Sequence, residues 1–379
     1  MKELAIFFLR LGTTAFGGPA AHIAMMEDEV VKRRGWMSHE YFLDLLGATN
    51  LIPGPNSTEM AIHIGYVRGG IRGLVLAGVC FIAPAVVITL VFARLYSVYG
   101  ALPQLQPFVF GIHAAIIAVI AGAVFRLAKP AIKKPFVVLV GVVVTMLSIY
   151  GVDALLLLIG AGIAGVLWYY RTQLIKSAAV FGIVPFVGAL FTMFGEGSRP
   201  ETTQASLSSL GLFFLKIGSI LYGSGYVLVA FLQGGLVDTR HWLTQTQLLD
   251  AVAVGQFTPG PVLSTATFIG YLILGIPGAT VATVGIFLPS FVFVLISSPF
   301  IPRLRSSPLA RGFLDGVNAA ALGLMLGVTV LLATSTLTSV AAWVIFLLAG
   351  VIVVVWNINA AWIVMGSAGI GWIVSLLTK

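Results

Sequence analysis

Cysteine and charge are what this chain has least of. A single cysteine, Cys80, leaves no intramolecular disulfide and no cysteine-based metal cluster, and it says nothing about redox compartment. Only 9% of the 379 residues are charged while 59% are hydrophobic and mean hydropathy is +1.06, far outside what a water-soluble domain carries. Catalytic signatures are missing too. There is no phosphate-binding loop for ATP, no Gly-x-Ser-x-Gly elbow, and no His or Cys spacing that would hold a metal. The reading is therefore not an enzyme, with no cofactor and no metal. The formal charge of +8 does not point to nucleic acid, because the basic residues sit in short stretches between apolar runs. Met1 to Leu9 reaches Arg10 without a cleavage site, so the first helix is expected to stay in the mature protein.

What fills the chain is apolar sequence, enough at about 20 residues per helix for up to a dozen membrane spans. The expectation is an all-α, polytopic membrane helical bundle that forms a substrate path through the lipid bilayer.

Self-comparison divides the chain in two. Phe8-Leu-Arg-Leu-Gly12 reappears as Phe214-Leu-Lys-Ile-Gly218, Trp36 as Trp242 and Asp44 as Asp250, at an offset of 206 (242 − 36). Pro53-Gly54-Pro55 matches Pro259-Gly260-Pro261. The offset then slips to 205 (270 − 65), pairing Gly65 with Gly270 and Pro84 with Pro289. The domains read as a first membrane repeat, 1–172, a connection, 173–210, and a second repeat, 211–379.

Loop charge gives their relation. The stretch from Tyr96 to Pro107 is uncharged and the next carries Arg126, Lys129, Lys133 and Lys134. In the second half Pro299 to Arg311 carries Arg303, Arg305 and Arg311, and Ser335 to Ser339 has none. Basic loops mark the cytoplasmic side, so their swap predicts inverted-topology repeats. Each half is expected to hold a first helix (Leu4 to Met26; Leu212 to Leu232), a segment broken at its middle (Tyr41 to Val67; Gln245 to Leu274) and four apolar helices. That makes about five spans per half, with the run Ala178 to Phe194 not crossing.

The Pro-Gly-Pro pair is the strongest local signal. Proline removes an N–H and bars helix from the residue before it, so these segments unwind into broken or re-entrant helices. Pro55 and Pro261 are expected as first helical residues. The amides of Asn56, Ser57 and Thr58, and of Val262, Leu263 and Ser264, would then point into the break as an anion site. Asn50 and Gln256 stand just before the two breaks. A second break is expected at Gly17-Gly18-Pro19 and Gly223-Ser224-Gly225, unless those small residues only let helices pack closely. Arg10 and Lys216 either bring two cations to one dianion or snorkel to the headgroups. His22 joins them as a substrate-contact candidate. Asn56, Glu59 and His63 share a helix face, a proton relay or a hydrogen-bonded polar seam. Asp44 and Asp250 are further proton-coupling candidates, with pairing to basic residues or helix capping as the structural alternative. His113 reads as a helix-to-helix hydrogen bond, and Glu27 to Arg34 as a solvated loop.

Phe8-Leu-Arg-Leu-Gly12, Phe16-Gly-Gly-Pro19, Ala21-His22, Trp36, Pro53-Gly-Pro55, Gly65-Tyr66 and Phe81-x-x-Pro84 together resemble the chromate ion transporters, of the long-chain two-domain type. The resemblance implies a secondary transporter in the bacterial inner membrane that exports chromate, confers resistance, and runs by antiport or proton coupling. Chromate and sulfate share shape and charge, so sulfate stays open as a substrate, and a passive anion channel stays open as a mechanism. A homodimer is expected from the glycine-rich helices.

Overall fold

The computed structural model describes residues 1–16, 18–100, 102–131, 134–174, 204–222, 225–298, 308–356 and 358–377. Among them lie fourteen α-helices and no strand. The first half contributes α1 (Lys2–Thr14), α2 (Gly18–Glu27, continued by a π-helical turn Asp28–Arg33), α3 (His39–Thr49), α4 (Asn56–Tyr99), α5 (Gln106–Ala131), α6 (Pro135–Ile149) and α7 (Ala154–Leu174). The second repeats the order as α8 (Leu207–Ile220), α9 (Val227–Leu232, continued by Gln233–Thr239), α10 (Gln245–Phe257), α11 (Thr265–Ser297), α12 (Pro308–Thr336), α13 (Val340–Val355) and α14 (Ala360–Leu377). Polar residues start several of them. Ser38 accepts from the Tyr41 amide, and Ser206 with Ser209 and Thr244 with Gln247 form capping boxes.

Each half opens with two helical hairpins. The chain enters along α1, unwinds at Ala15, and returns along α2 until Arg34 reaches Glu3 at 4.0 Å and Trp36 meets Phe7 edge-on. The break expected near Gly17-Gly18-Pro19 in the first helix is a full reversal, because extended backbone at Ala15 lets the chain turn back. Residues 27–34, expected as a solvated loop, are helical and tied by Arg33–Asp28 and Arg34–Glu29 ion pairs. The second hairpin runs along α3, turns at Pro53-Gly54-Pro55 and returns along residues 56–68, ending with Arg68 over the Trp36 ring. Gly70, at φ +58°, then reverses α4, and its long arm, residues 71–99, packs back on the short one where Gly65 meets the Gly73 carbonyl. The second half repeats this with Arg240 over Phe213 and Trp242, and with Gly270 against Gly278.

Five described helical segments are long and apolar enough to cross a membrane, in α4, α5, α11, α12 and α14. Their outer faces and those of α6 and α13 expose Val87, Val91, Leu139, Leu347 and Val351, the surface that lipid rather than water accepts. The protein is a multi-pass membrane bundle of two repeats. With both leading segments folded as hairpins, the described residues give four lengthwise helices in each half, against an expectation of about five spans. The run Ala178 to Phe194 lies outside the described residues.

The halves interlock. α5 packs on α13 and α14, and its counterpart α12 packs on α6 and α7. α4 and its counterpart α11 pass each other antiparallel, with Gly78 against Phe291 and Leu74 clustered with Val294. One face of the bundle gathers Arg33, Arg34, Arg68, Lys134 and Arg126. The opposite face gathers the starts of α7 and α8 around a cavity of about 940 Å³.

Candidate functional site

The breaks meet at the centre, each with the other half's. The Gly260 amide donates to the Ala15 carbonyl (3.0 Å), and the Gly54 amide donates to the Leu221 carbonyl (2.7 Å), the residue equivalent to Ala15. Both glycines need the left-handed half of backbone space, at φ +89° and +143°. Gly260 also lies so close to Gly12 and Ala85 that a methyl there would stand 3.1 Å from each. The two Pro-Gly-Pro turns thus do not face one another across a single anion. Pro55 and Pro261 cap their helices from outside rather than starting them, and their carbonyls take the amides of Thr58 and Ser264. Fewer free donors remain than the sequence promised, because the first turn closes on the proline carbonyl.

Beside this junction a cavity of about 1110 Å³ runs toward the basic face. Of the residues expected to bind substrate, Gly18, Asn50, Asn56, Gln256 and Gly260 line it. Gly18, at φ +79°, starts α2, whose first turn edges the cavity at Pro19, Ala20 and Ala21, with the Ala20 and Ala21 amides as its donors there. Asn50 and Gln256 are counterparts contributed by the two halves. Asn56 donates to the Asn50 side-chain oxygen (2.7 Å), and Tyr226 donates to the Gln256 oxygen (3.2 Å). The Gln256 Nε2 is buried without an acceptor.

The remaining candidates fall elsewhere. Pro53, Gly54, Pro55, Ser57, Pro259, Pro261 and Ser264 shape the turns and line neither cavity. His22 is buried, edge-on to Phe81 with Nε2 3.1 Å from the Ala15 carbonyl, and braces the α1–α2 hairpin. Arg10 lines neither cavity, and Lys216 lines the one at the opposite face. These two do not converge, because α1 and α8 enter the bundle from opposite faces. Gly17, Gly223 and Ser224 lie outside the described residues. Glu59 and His63 are buried behind the first Pro-Gly-Pro turn. Asp250 accepts from the Tyr96 hydroxyl (2.7 Å) and faces His113 Nε2 (2.7 Å), so both partners come from the other half. Asp44 is half-buried on α3 and lines no cavity.

Two residues were missed. Arg126 lines the cavity, giving one N–H to the Val353 carbonyl (3.2 Å), and is within electrostatic range of Tyr226. The lysine there, Lys134, is neutralised by Asp315 at 2.7 Å. In the sequence Arg126 is one of four basic residues in a row of loop charges, and nothing distinguishes an orienting arginine from a ligand. Tyr226 carries no signal from the repeat, since its counterpart in the first half is Ala20. What results is an apolar-walled chamber with an arginine that has no carboxylate partner among the described residues, an amide donor oriented by a phenol, and a helix start, a set suited to an anion.

The sequence profile described as chromate transporter matches residues 2–166 and again 208–372. A chromate transport protein of Cupriavidus metallidurans is 34% identical over 90% of this chain and 84% of its own length. A probable chromate transport protein of Synechococcus elongatus is 31% identical over 92% and 88%. A chromate transport protein of Pseudomonas aeruginosa is 32% identical over 88% and 81%. No solved structure matches the chain.

Proposed function

The chain belongs to the chromate transporter family, and on that premise we propose that it is a secondary transporter that carries chromate out of the cell. The Arg126 guanidinium holds the dianion in the central cavity, with the Gln256 amide, oriented by the Tyr226 hydroxyl, and the α2 start as further donors. The observation that carries this reading is the buried, acceptorless Gln256 Nε2 in the same cavity as an arginine with no carboxylate partner among the described residues. A buried donor left unmade costs about 1–3 kcal/mol, which an oxyanion would recover.

The repeats are of inverted topology. The antiparallel passage of α4 and α11 supports this, as does the swap of basic loops. By the same charge rule the basic face is cytoplasmic in the inner membrane. The cavity reaches toward that face, so substrate loads from the cytoplasm, the arrangement an exporter that confers resistance needs. With no nucleotide-binding motif in the sequence, an ion gradient drives the cycle.

The experiment is uptake of labelled chromate into proteoliposomes with and without a pH gradient, with sulfate as competitor. Accumulation above equilibrium is expected. Passive equilibration would establish a channel instead, and competition by sulfate would extend the substrate class to tetrahedral dianions.

A further inference from the structure

Glu59 is the most enclosed carboxyl among the described residues. It has no exposed surface, and neither oxygen has a hydrogen-bond partner. No Lys or Arg among the described residues pairs with it. An ionisable group carried so deep in a membrane bundle is expensive to keep and is retained for function by default.

Its surroundings define a route. Glu59 lies one turn past Pro55 and folds back under the turn. A methyl at Gly54 would fall onto its carboxyl and stand 2.7 Å from the Ser290 hydroxyl of α11, which is buried and also without a partner. From the end of α8, Tyr222 is within electrostatic range of Glu59, and it follows the Leu221 whose carbonyl receives the Gly54 amide. On its own helix His63 follows at i+4, on the same face. That ring is buried with Nε2 unpartnered, and Nδ1 is 3.3 Å from the Ser298 hydroxyl. Ser298 is half-buried where α11 ends, toward the basic face. The second half offers Thr265 and Phe268 at the matching places, so the route is built once.

Resting on the transport reading above, we propose that Glu59 is the site of the coupling proton, loaded and unloaded through His63 and Ser298 from the basic face and separate from the cavity that takes the oxyanion. One proton passes from water through the Ser298 hydroxyl and the His63 imidazole to the Glu59 carboxylate, and returns by the same groups. No other bond changes. Glu59 lines neither cavity, so it does not compete with the anion. It acts through the Gly54–Leu221 hydrogen bond, the junction between halves that must part for the cavity to change sides.

The test uses the full chain in proteoliposomes, comparing the wild type with Glu59→Gln. Two fluxes are read: chromate–chromate exchange at equal pH, and accumulation driven by a pH gradient, with an internal pH dye reporting proton movement on chromate addition. Exchange within about threefold of wild type, with driven accumulation and the dye response lost, is the expected result. Undiminished driven accumulation overturns the proposal. Loss of exchange as well, in protein that purifies and melts normally, also overturns it by making Glu59 part of the anion site. If Glu59→Gln does not fold, His63→Gln and Ser298→Ala decide: both must slow driven flux more than exchange, and equal slowing refutes the route. A wild type without chromate exchange would refute the transport reading rather than the proton site.

Discussion

Arg126→Gln is the substitution that most directly tests how the cavity holds its substrate. The arginine spends one N–H on the Val353 carbonyl and has no carboxylate among its described partners. Glutamine keeps a donor for Val353 and removes the charge. A charge-assisted hydrogen bond contributes about 1.5–3 kcal/mol, so the dissociation constant for chromate should rise roughly 10- to 150-fold. Lys134→Gln is the matched control. Lys134 sits in the same cavity but faces Asp315 at 2.7 Å, and an exposed pair of that kind is worth at most about 1 kcal/mol. Its loss should move affinity by no more than about fivefold. Equilibrium binding of labelled chromate to purified protein in detergent, at two salt concentrations, measures both. Equal effects of the two variants, or none at Arg126, would refute the assignment and leave the helix start and amides as the anion's only partners.

Removing the Asp250 carboxylate with Asp250→Ala strands Tyr96 and His113 in the core, and breaking a buried pair costs about 3–5 kcal/mol. A drop in melting temperature clearly larger than that of Tyr96→Phe is expected, and equal melting would show the network to be incidental. Gly260→Ala meets Ala85 and the Gly12 carbonyl at 3.1 Å in a left-handed conformation, a strain of about 1–3 kcal/mol. Protein should reach the membrane with transport strongly reduced, and normal flux would mean that this turn does not take part. For topology, cysteines placed at Tyr150 and Ser206 should be labelled from one side of the membrane and a cysteine at Lys134 from the other. Labelling of all three from one side would exclude the inverted arrangement.

Much of this architecture was legible because proline and glycine act locally. Pro53-Gly54-Pro55 and its repeat mark unwound backbone whatever surrounds them, and the duplication is visible as residues in register. The hairpin at Ala15 was not legible as a reversal, since nothing local to Ala15-Phe16 separates a kink from a turn back. Arg34 returning to Glu3 is a contact between residues 31 apart (34 − 3). The pairing of Ala15 with Gly260 spans the two halves and leaves no trace in either. Of the two alternatives for Arg10 and Lys216, the structure does not bring them together, for a reason already contained in the swap of basic loops. Reversing one half carries its equivalent cation to the other face.

The same reasoning explains why the duplicated scaffold holds a site that is not duplicated. The two main-chain hydrogen bonds between the breaks are mates, Gly54 with Leu221 and Gly260 with Ala15, and helix packing is exchanged likewise, α5 on α13 and α14 and α12 on α6 and α7. Such exchange lets the two halves trade conformations at little net cost, as a bundle needs if it is to open to either face in turn. The chemical groups break that equivalence. Tyr226 faces the cavity where its counterpart is Ala20, Asn50 is answered by Gln256, His113 by Asn318, and Glu59 by Thr265. On the proposed mechanism, backbone symmetry keeps the two openings close in energy, and the side chains that differ between the halves make them respond differently to an anion and to a proton. A ligand shifts such an equilibrium only by its difference in affinity for the two states. A site repeated faithfully in both halves would tend to bind alike in both openings, so under the proposed coupling the departures from the repeat are where it would reside.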